Sequence, residues 1–133
     1  MSGFSDYLEL ELLDHVFKVG AYTAATNLYV ALSKSTIVDA DTGPSITGEL
    51  SGDAYERKIC NTWDAASGGS LDNTGAITFT ASSGAWGVIT HFAICDAITA
   101  GNMLAWAALT STKNVGSGDT VEFAAGALKC SLT

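Results

Sequence analysis

Apolar side chains recur at steps of three and four residues near the start of the chain. The positions that follow this spacing are Leu8, Leu12, Leu13, Val16 and Phe17. Such a period is typical of an amphipathic helix with one apolar stripe. The stripe is expected to pack against another part of a protein, with the acidic residues between these positions in solvent.

The residues around this segment supply the signals that start and stop a helix. Ser5 can cap the N-terminus, and Asp6 and Glu9 fall in the first turn, where the helix dipole favours negative charge. Lys18 and Gly20 stand where helices commonly end. These signals predict one helix over about residues 4–18.

After Gly20 the hydrophobic pattern changes to a period of two. Leu28, Val30 and Leu32 alternate with smaller or more polar residues, which predicts a strand with one buried face. Comparable strand patterns occupy residues 55–63, 77–80, 86–97, 103–110, 120–125 and 128–132. Turn formers fill residues 64–75 and 116–119, which we interpret as turns.

The strand predicted over residues 86–97 is apolar on both of its faces. Strict alternation places Val88, Phe92 and Ile94 on one face, and Ile89, Ala93 and Cys95 on the other. A strand with two apolar faces is expected in the middle of a sandwich or at an interface.

These elements together predict the fold class. Short strands with glycine-rich turns and one helix at the start favour a mainly β fold, a β-sandwich or jelly-roll-like barrel with one N-terminal α-helix. We expect a single domain over residues 1–133, with the helix at about 4–18 and the sandwich at about 26–133. Residues 35–53 have few large apolar side chains and hold the only proline, so they predict a long loop.

Composition excludes several classes of function. Apolar residues make up 47% of the chain and charged residues 15%, which argues against disorder and suits a protein packed against neighbours in an assembly. The net charge is −8 and the bases are scattered, so nucleic-acid binding is not expected. No stretch is apolar enough for a membrane span or a signal peptide, so we expect synthesis in the cytoplasm and no membrane partner.

The residues that carry chemistry form no recognisable site. His15 and His91 stand in no catalytic signature, and Asp39 and Asp41 lack the pattern of a calcium loop, so we interpret them as structural residues. The three cysteines have no C-x-x-C pair and are interpreted as small buried hydrophobes. We therefore expect no enzyme activity, no metal site and no cofactor.

The aromatic residues allow two interpretations. Trp63, Trp86 and Trp106 are the ordinary filling of a sandwich core or an interface, and they could also form a platform for sugar rings. The core or interface interpretation is favoured. Trp86, which lies between Gly84 and Gly87, is the best candidate for an exposed exception.

Several segments resemble, in order, a family of small structural proteins of tailed bacteriophages that are often described as phage tail fibre proteins. The segments are SGFSDYLELELLDHVF, LYVALS, GAWGVITHFAICDA, GNMLAWAALT and GDTVEFAAGALKCSL. The loop over residues 37–52 departs from the family. The resemblance implies a component of the virion and transfers no catalytic residue.

Two roles in the particle follow as expectations. The first is a capsid decoration, or cement, protein that binds the major capsid protein or other virion proteins as a homo-oligomer, with a trimer favoured, and stabilises the shell. The alternative is a tail or tail-fibre component, such as a sugar-binding adhesin tip. Partner contacts are expected at apolar residues of the helix start and the long loop and at one tryptophan, namely Phe4, Tyr7, Leu8, Ile37, Pro44, Ile46 and Trp86.

Overall fold

The computed structural model describes residues 2–132, which form one helix and nine strands. In chain order they are β1 (Ser2–Phe4), α1 (Asp6–Val16), β2 (Tyr29–Ser33), β3 (Lys58–Ile59), β4 (Ser70–Asp72), β5 (Ile77–Thr80), β6 (Gly87–Cys95), β7 (Met103–Val115), β8 (Thr120–Phe123) and β9 (Lys129–Ser131). Within these described residues no helix is long and apolar enough to cross a membrane.

The strands form three antiparallel sheets. The largest has five strands in the order β1-β7-β6-β2-β3, while β4 pairs with β9 and β5 pairs with β8. Within the large sheet, β6 and β7 are joined by a short turn and lie side by side in antiparallel register. The predicted fold class is confirmed, since the chain is mainly β, with antiparallel sheets in a sandwich and one helix at its N-terminal end.

The larger hydrophobic core lies between one face of the large sheet and the β5–β8 pair. Val30 and Leu32 of β2 meet Ile77 and Phe79 of β5 in this core, and Phe123 of β8 packs edge to face on Phe79. The alternating apolar positions of β5 and β8 are buried, as the sequence period predicts. Each large side chain buried here stabilises the fold by about 1.5–3 kcal/mol.

A smaller core lies on the opposite face of the large sheet. It joins Ala31, Ala93 and Trp106 of the sheet to Ile37 and Ile46 of the long loop between β2 and β3. The loop therefore covers this face of the sheet, which explains why β2 and β6 carry apolar residues on both faces.

The helix and several strands differ in extent from the sequence prediction. The helix is shorter than predicted, because Lys18 takes a left-handed conformation (φ 66°) and ends it before Gly20. Two strands were not predicted: β1, and β4 inside the predicted turn region 64–75. The predicted strand over residues 55–63 contributes only β3. These three strands are two or three residues long and too short to display an alternating pattern.

The prediction for the two faces of β6 is wrong at its start. The register between β6 and β7 shifts between Ile89 and His91. Ile89 pairs with Lys113, whereas His91 pairs with Ala108, so the regular pairing is interrupted here. Because such an irregularity can turn the side chains on its two sides to different faces, Ile89 enters the larger core beside Phe92 and Val88 is exposed.

A buried ion pair holds the long loop in place. Both nitrogens of the Arg57 guanidinium that face Glu49 donate to its carboxylate, at 2.7 and 2.8 Å. The same guanidinium donates to the carbonyl oxygens of Gly43, Ala97 and Ala100. Burial alone would lower the pKa of Arg57, but the hydrogen bonds with Glu49 and the charges of neighbouring acidic groups together outweigh it and raise the pKa. The loop is thus fixed to the turn between β6 and β7.

Candidate interaction surface

The start of α1 is fastened to the large sheet by its capping residue. Ser5 is fully buried and accepts a hydrogen bond from the Leu8 amide, as predicted for an N-cap. Its own amide donates to the Leu104 carbonyl oxygen, and its hydroxyl donates to the carbonyl oxygen of Met103. The direction of the helix is therefore set by β7.

Asp39 of the long loop makes a second attachment at the same place. Its carbonyl oxygen accepts a hydrogen bond from the Asp6 amide at 2.9 Å, and its carboxylate accepts one from the Trp106 indole at 2.7 Å. One loop residue thus connects the first turn of α1 with the first half of β7.

The helix carries apolar residues on two sides, and only one side meets the protein. Leu8 and Leu12 are half-buried and face the sheet. On the other side, Leu10, Leu13 and Phe17 are 64%, 56% and 72% exposed. At 100° per residue these three positions lie within about 60° of one another, and we call them the α1 stripe. No residue of α1 is buried.

An apolar groove lies beside the helix, between the large sheet and the β4–β9 pair. Its volume is about 710 Å³. The floor is formed by Phe92 and Ile94 of β6 and by their partners Ala107 and Ala105 of β7, since directly paired residues project to the same face of a sheet. Phe4, Leu8, Trp63, Leu71 and the segment of residues 128–132 form the walls.

The charge on the two surfaces is opposite in sign. Among residues 2–132, Lys129 is the only charged residue that lines the apolar groove. Glu9 and Asp14 are exposed and flank the α1 stripe on its two sides. Burial raises the pKa of Tyr7, and the carboxylates of Glu11 and Asp96 act in the same direction.

A family model described as Podophage GP4 fiber I protein gp80 matches residues 3–131 of the chain. The chain belongs to this family. The match includes the helix, all nine strands except the first residue of β1, and the long loop. No curated protein matches the chain.

Membership of the gp80 fibre family confirms the resemblance seen in the sequence and identifies the chain as a phage fibre-type structural protein. It implies a component of the virion. The family favours the tail-fibre alternative over the capsid decoration role that composition had suggested.

Four of the seven residues expected at a partner interface lie at the surface of this fibre-family protein. Phe4 and Leu8 line the apolar groove, Tyr7 is half-buried on α1, and Pro44 is exposed in the long loop. The structure brings Phe4 and Leu8 together and places Pro44 apart from them, on the loop. The interface role of these four residues stays a prediction.

The other three expected interface residues are buried inside the chain, so their assignment to an interface is wrong. Ile37 and Ile46 fill the smaller core under the long loop. Trp86 packs edge to face against Tyr55 in the larger core, and its indole nitrogen donates to the Asp53 carbonyl oxygen. A buried Trp86 cannot present its face to a sugar ring.

The residues weighed for chemistry have local structural partners. His15 Nδ1 accepts a hydrogen bond from the Tyr22 amide, and His91 Nδ1 lies 2.8 Å from the Thr90 hydroxyl. The Asp41 carboxylate accepts hydrogen bonds from the Thr47 amide and hydroxyl, as expected of a turn carboxylate. In residues 2–132, no three His, Cys, Asp or Glu side chains gather where a metal ion could bind.

Sequence reasoning missed the two surfaces that stand out in the structure. Leu10 was left outside the predicted helix stripe, although it stands three residues before Leu13 and seven before Phe17. That spacing is the signal of a second apolar side on the helix. The groove has no comparable signal, because it depends on where the β4–β9 pair stands relative to β6 and β7.

Proposed function

We propose that this chain is a subunit of a bacteriophage fibre and that it acts by protein–protein contact, without catalysis and without binding nucleic acid or membrane. The observation that carries the proposal is the α1 stripe on a member of a fibre family. A helix of 11 residues is marginal in water without tertiary packing. Exposing three large apolar residues on such a helix is favourable only where a partner covers them.

The attachment of α1 supports the same role. Ser5 and Asp39 fix the start of the helix to β7, so its exposed side is presented in a defined orientation. A rigid apolar ridge loses little conformational entropy on binding, which favours a stable contact. The spacing of Leu10, Leu13 and Phe17 is that of a helix bound in a groove of a partner.

The test locates the chain on purified particles. Immunogold labelling and quantitative mass spectrometry of separated heads and fibres should find the chain with the fibres. Recovery in shell-like stoichiometry on the capsid surface would instead support the decoration role and overturn the proposal.

A variant series tests the contribution of the helix. Phage carrying Leu13→Gln with Phe17→Gln should assemble particles that lack the chain. Phage carrying Ile98→Gln, which changes an exposed apolar residue that does not belong to the helix, should retain it. Equal incorporation of both variants would show that the α1 stripe is not the attachment surface.

A further inference from the structure

One chain carries two exposed apolar surfaces of opposite form, a ridge on α1 and a groove between the sheets. The α1 stripe projects three large side chains at the spacing of a helix that binds in a groove. The apolar groove has the 710 Å³ volume and apolar lining of a binding cleft for such side chains. We infer that the α1 stripe of one copy docks into the apolar groove of a second copy of this chain.

The helix cannot fill the groove of its own chain. Leu8 already lines that groove, and it lies about 160° around the helix from Leu10. The hydrogen bonds of Ser5 to β7 keep the helix from rotating. The stripe therefore points away from its own groove, and only another molecule can bring the two surfaces together.

Charge selects the groove, and not a second helix, as the surface that the stripe meets. Two α1 helices packed through their stripes would bring the Glu9 and Asp14 carboxylates of both copies together, and like charges oppose such a contact. Docking in the groove instead places these carboxylates near Lys129, a cation in the described part of its lining. This inference rests on the proposed function and names the partner of the α1 stripe.

The contact has a consequence for assembly. The stripe and the groove are different surfaces, so the contact between them is heterologous, and each copy that docks by its helix still offers its own groove. A subunit built in this way can be joined to others of its kind, which is the property that a fibre subunit needs.

The experiment uses the full chain and measures its mass by size-exclusion chromatography with light scattering. The unchanged protein should associate as its concentration rises. A stripe variant, Leu13→Gln with Phe17→Gln, and a groove variant, Ala107→Gln, should each be monomeric at concentrations where the unchanged protein associates. Circular dichroism and thermal unfolding establish that both variants are folded.

Mixing the two variants decides the geometry. The groove variant keeps an intact stripe and the stripe variant keeps an intact groove, so their equimolar mixture should form a 1:1 complex. A mixture that stays monomeric would overturn the inference. So would association that survives in the groove variant and is lost only in the stripe variant, because the stripe would then bind another surface.

Exchanging the charges of Lys129 and Asp14 is a second test of the contact, and it leaves the floor of the groove unchanged. Lys129→Glu should weaken association up to about fivefold, the size of one exposed ion pair. Combining it with Asp14→Lys should restore the association. No change in either variant would count against the proposed contact.

The outcome is separable from that of the proposed function. A chain that is monomeric at every concentration and yet is found on the fibres of the particle overturns docking between copies and leaves the fibre role standing. A chain that associates through the stripe and the groove but is located on the capsid overturns the fibre role and leaves docking between copies standing.

Discussion

The indole nitrogen of Trp106 donates a hydrogen bond of 2.7 Å to the carboxylate of Asp39, 67 residues away in the chain. This bond holds the long loop against β7. Because the Asp39 carbonyl oxygen also accepts from the Asp6 amide, the loop, the helix and the sheet meet at one residue. The orientation of the α1 stripe depends on this junction.

Replacing Trp106 with phenylalanine should therefore loosen α1 while keeping most of the core packing. A hydrogen bond to a charged acceptor contributes about 1.5–3 kcal/mol when it is buried. Because Asp39 is exposed, we expect the free energy of unfolding to fall by about 1 kcal/mol. Urea denaturation measures this loss. Hydrogen exchange should accelerate at the amides of the first turn of α1.

Trp63→Phe is the matched control for that variant. Trp63 donates its indole hydrogen bond to the carbonyl oxygen of Cys60, a residue of neither α1 nor the long loop. It should lower stability by a comparable or smaller amount and leave exchange in the helix unchanged. Equal exchange in the helix for both variants would mean that Asp39 does not couple the loop to α1.

The buried guanidinium of Arg57 should be far more important for folding than its charge alone suggests. Arg57→Met removes the guanidinium from the Glu49 carboxylate and from three carbonyl oxygens, and it leaves the carboxylate with the Tyr55 hydroxyl as its remaining side-chain donor. Breaking a buried ion pair in this way costs about 3–5 kcal/mol. The midpoint of urea denaturation should fall sharply, or the variant should fail to fold.

The neighbouring base provides the comparison. Lys58 pairs with Glu56 at the surface, where it lowers the pKa of that carboxyl through a hydrogen bond. Lys58→Met should change the free energy of unfolding by less than about 1 kcal/mol. Similar losses in the two variants would contradict the assignment of Arg57 as the residue that fixes the long loop.

The sequence predicts the parts of this fold that have a long hydrophobic period. The N-cap at Ser5, the strand at β2 and the alternation in β5 and β8 were all predictable, because each depends on neighbours in the chain. The strands β1 and β4 were not, since short segments become strands only by pairing with β7 and β9. Pairing with strands distant in the chain, and not a local sequence pattern, therefore makes β1 and β4 strands.

The prediction of the interaction surface failed for the same reason, because contacts between residues far apart in the chain decide which residues are buried. Arg57 reads as an ordinary surface base, yet its partners lie 8 to 43 residues away in the chain. Ile37, Ile46 and Trp86 were expected at an interface because they are apolar residues in or near loops. The structure buries them under the chain itself, and no local pattern distinguishes a covered loop residue from an exposed one.

The register shift in β6 predicts which of two neighbouring residues matters more for stability. Strict alternation along the strand predicts the opposite order. Ile89 is fully buried in the larger core, whereas Val88 is 46% exposed. Ile89→Ala should lower the free energy of unfolding by about 2–5 kcal/mol. Val88→Ala should change it by about 0.5 kcal/mol or less. Strict alternation would place Val88 with Phe92 in the core. A larger loss of stability for Val88→Ala than for Ile89→Ala would therefore rule out the shifted register.

The buried thiols should make the fold less stable in alkaline solution. Burial raises the pKa of Cys60 and of Cys95 to about 12, above the value of about 8.5 in an unfolded chain. The folded protein therefore retains thiol protons that the unfolded chain releases. The resulting stability is fully present below about pH 8.5 and is lost as the pH rises toward 12. Burial raises the pKa of Tyr55 as well, so this phenol acts in the same direction.

Urea denaturation at intervals from pH 8 to pH 11 should accordingly give a free energy of unfolding that falls with pH. Each buried thiol contributes a slope of up to about 1.4 kcal/mol per pH unit. The double variant Cys60→Ala with Cys95→Ala should have a smaller slope. The slope that remains should come from the buried phenol of Tyr55. Cys130→Ala should change the slope less, because Cys130 is only partly buried. A slope that is the same in the double variant and in the unchanged protein would mean that water reaches both thiols in the folded state.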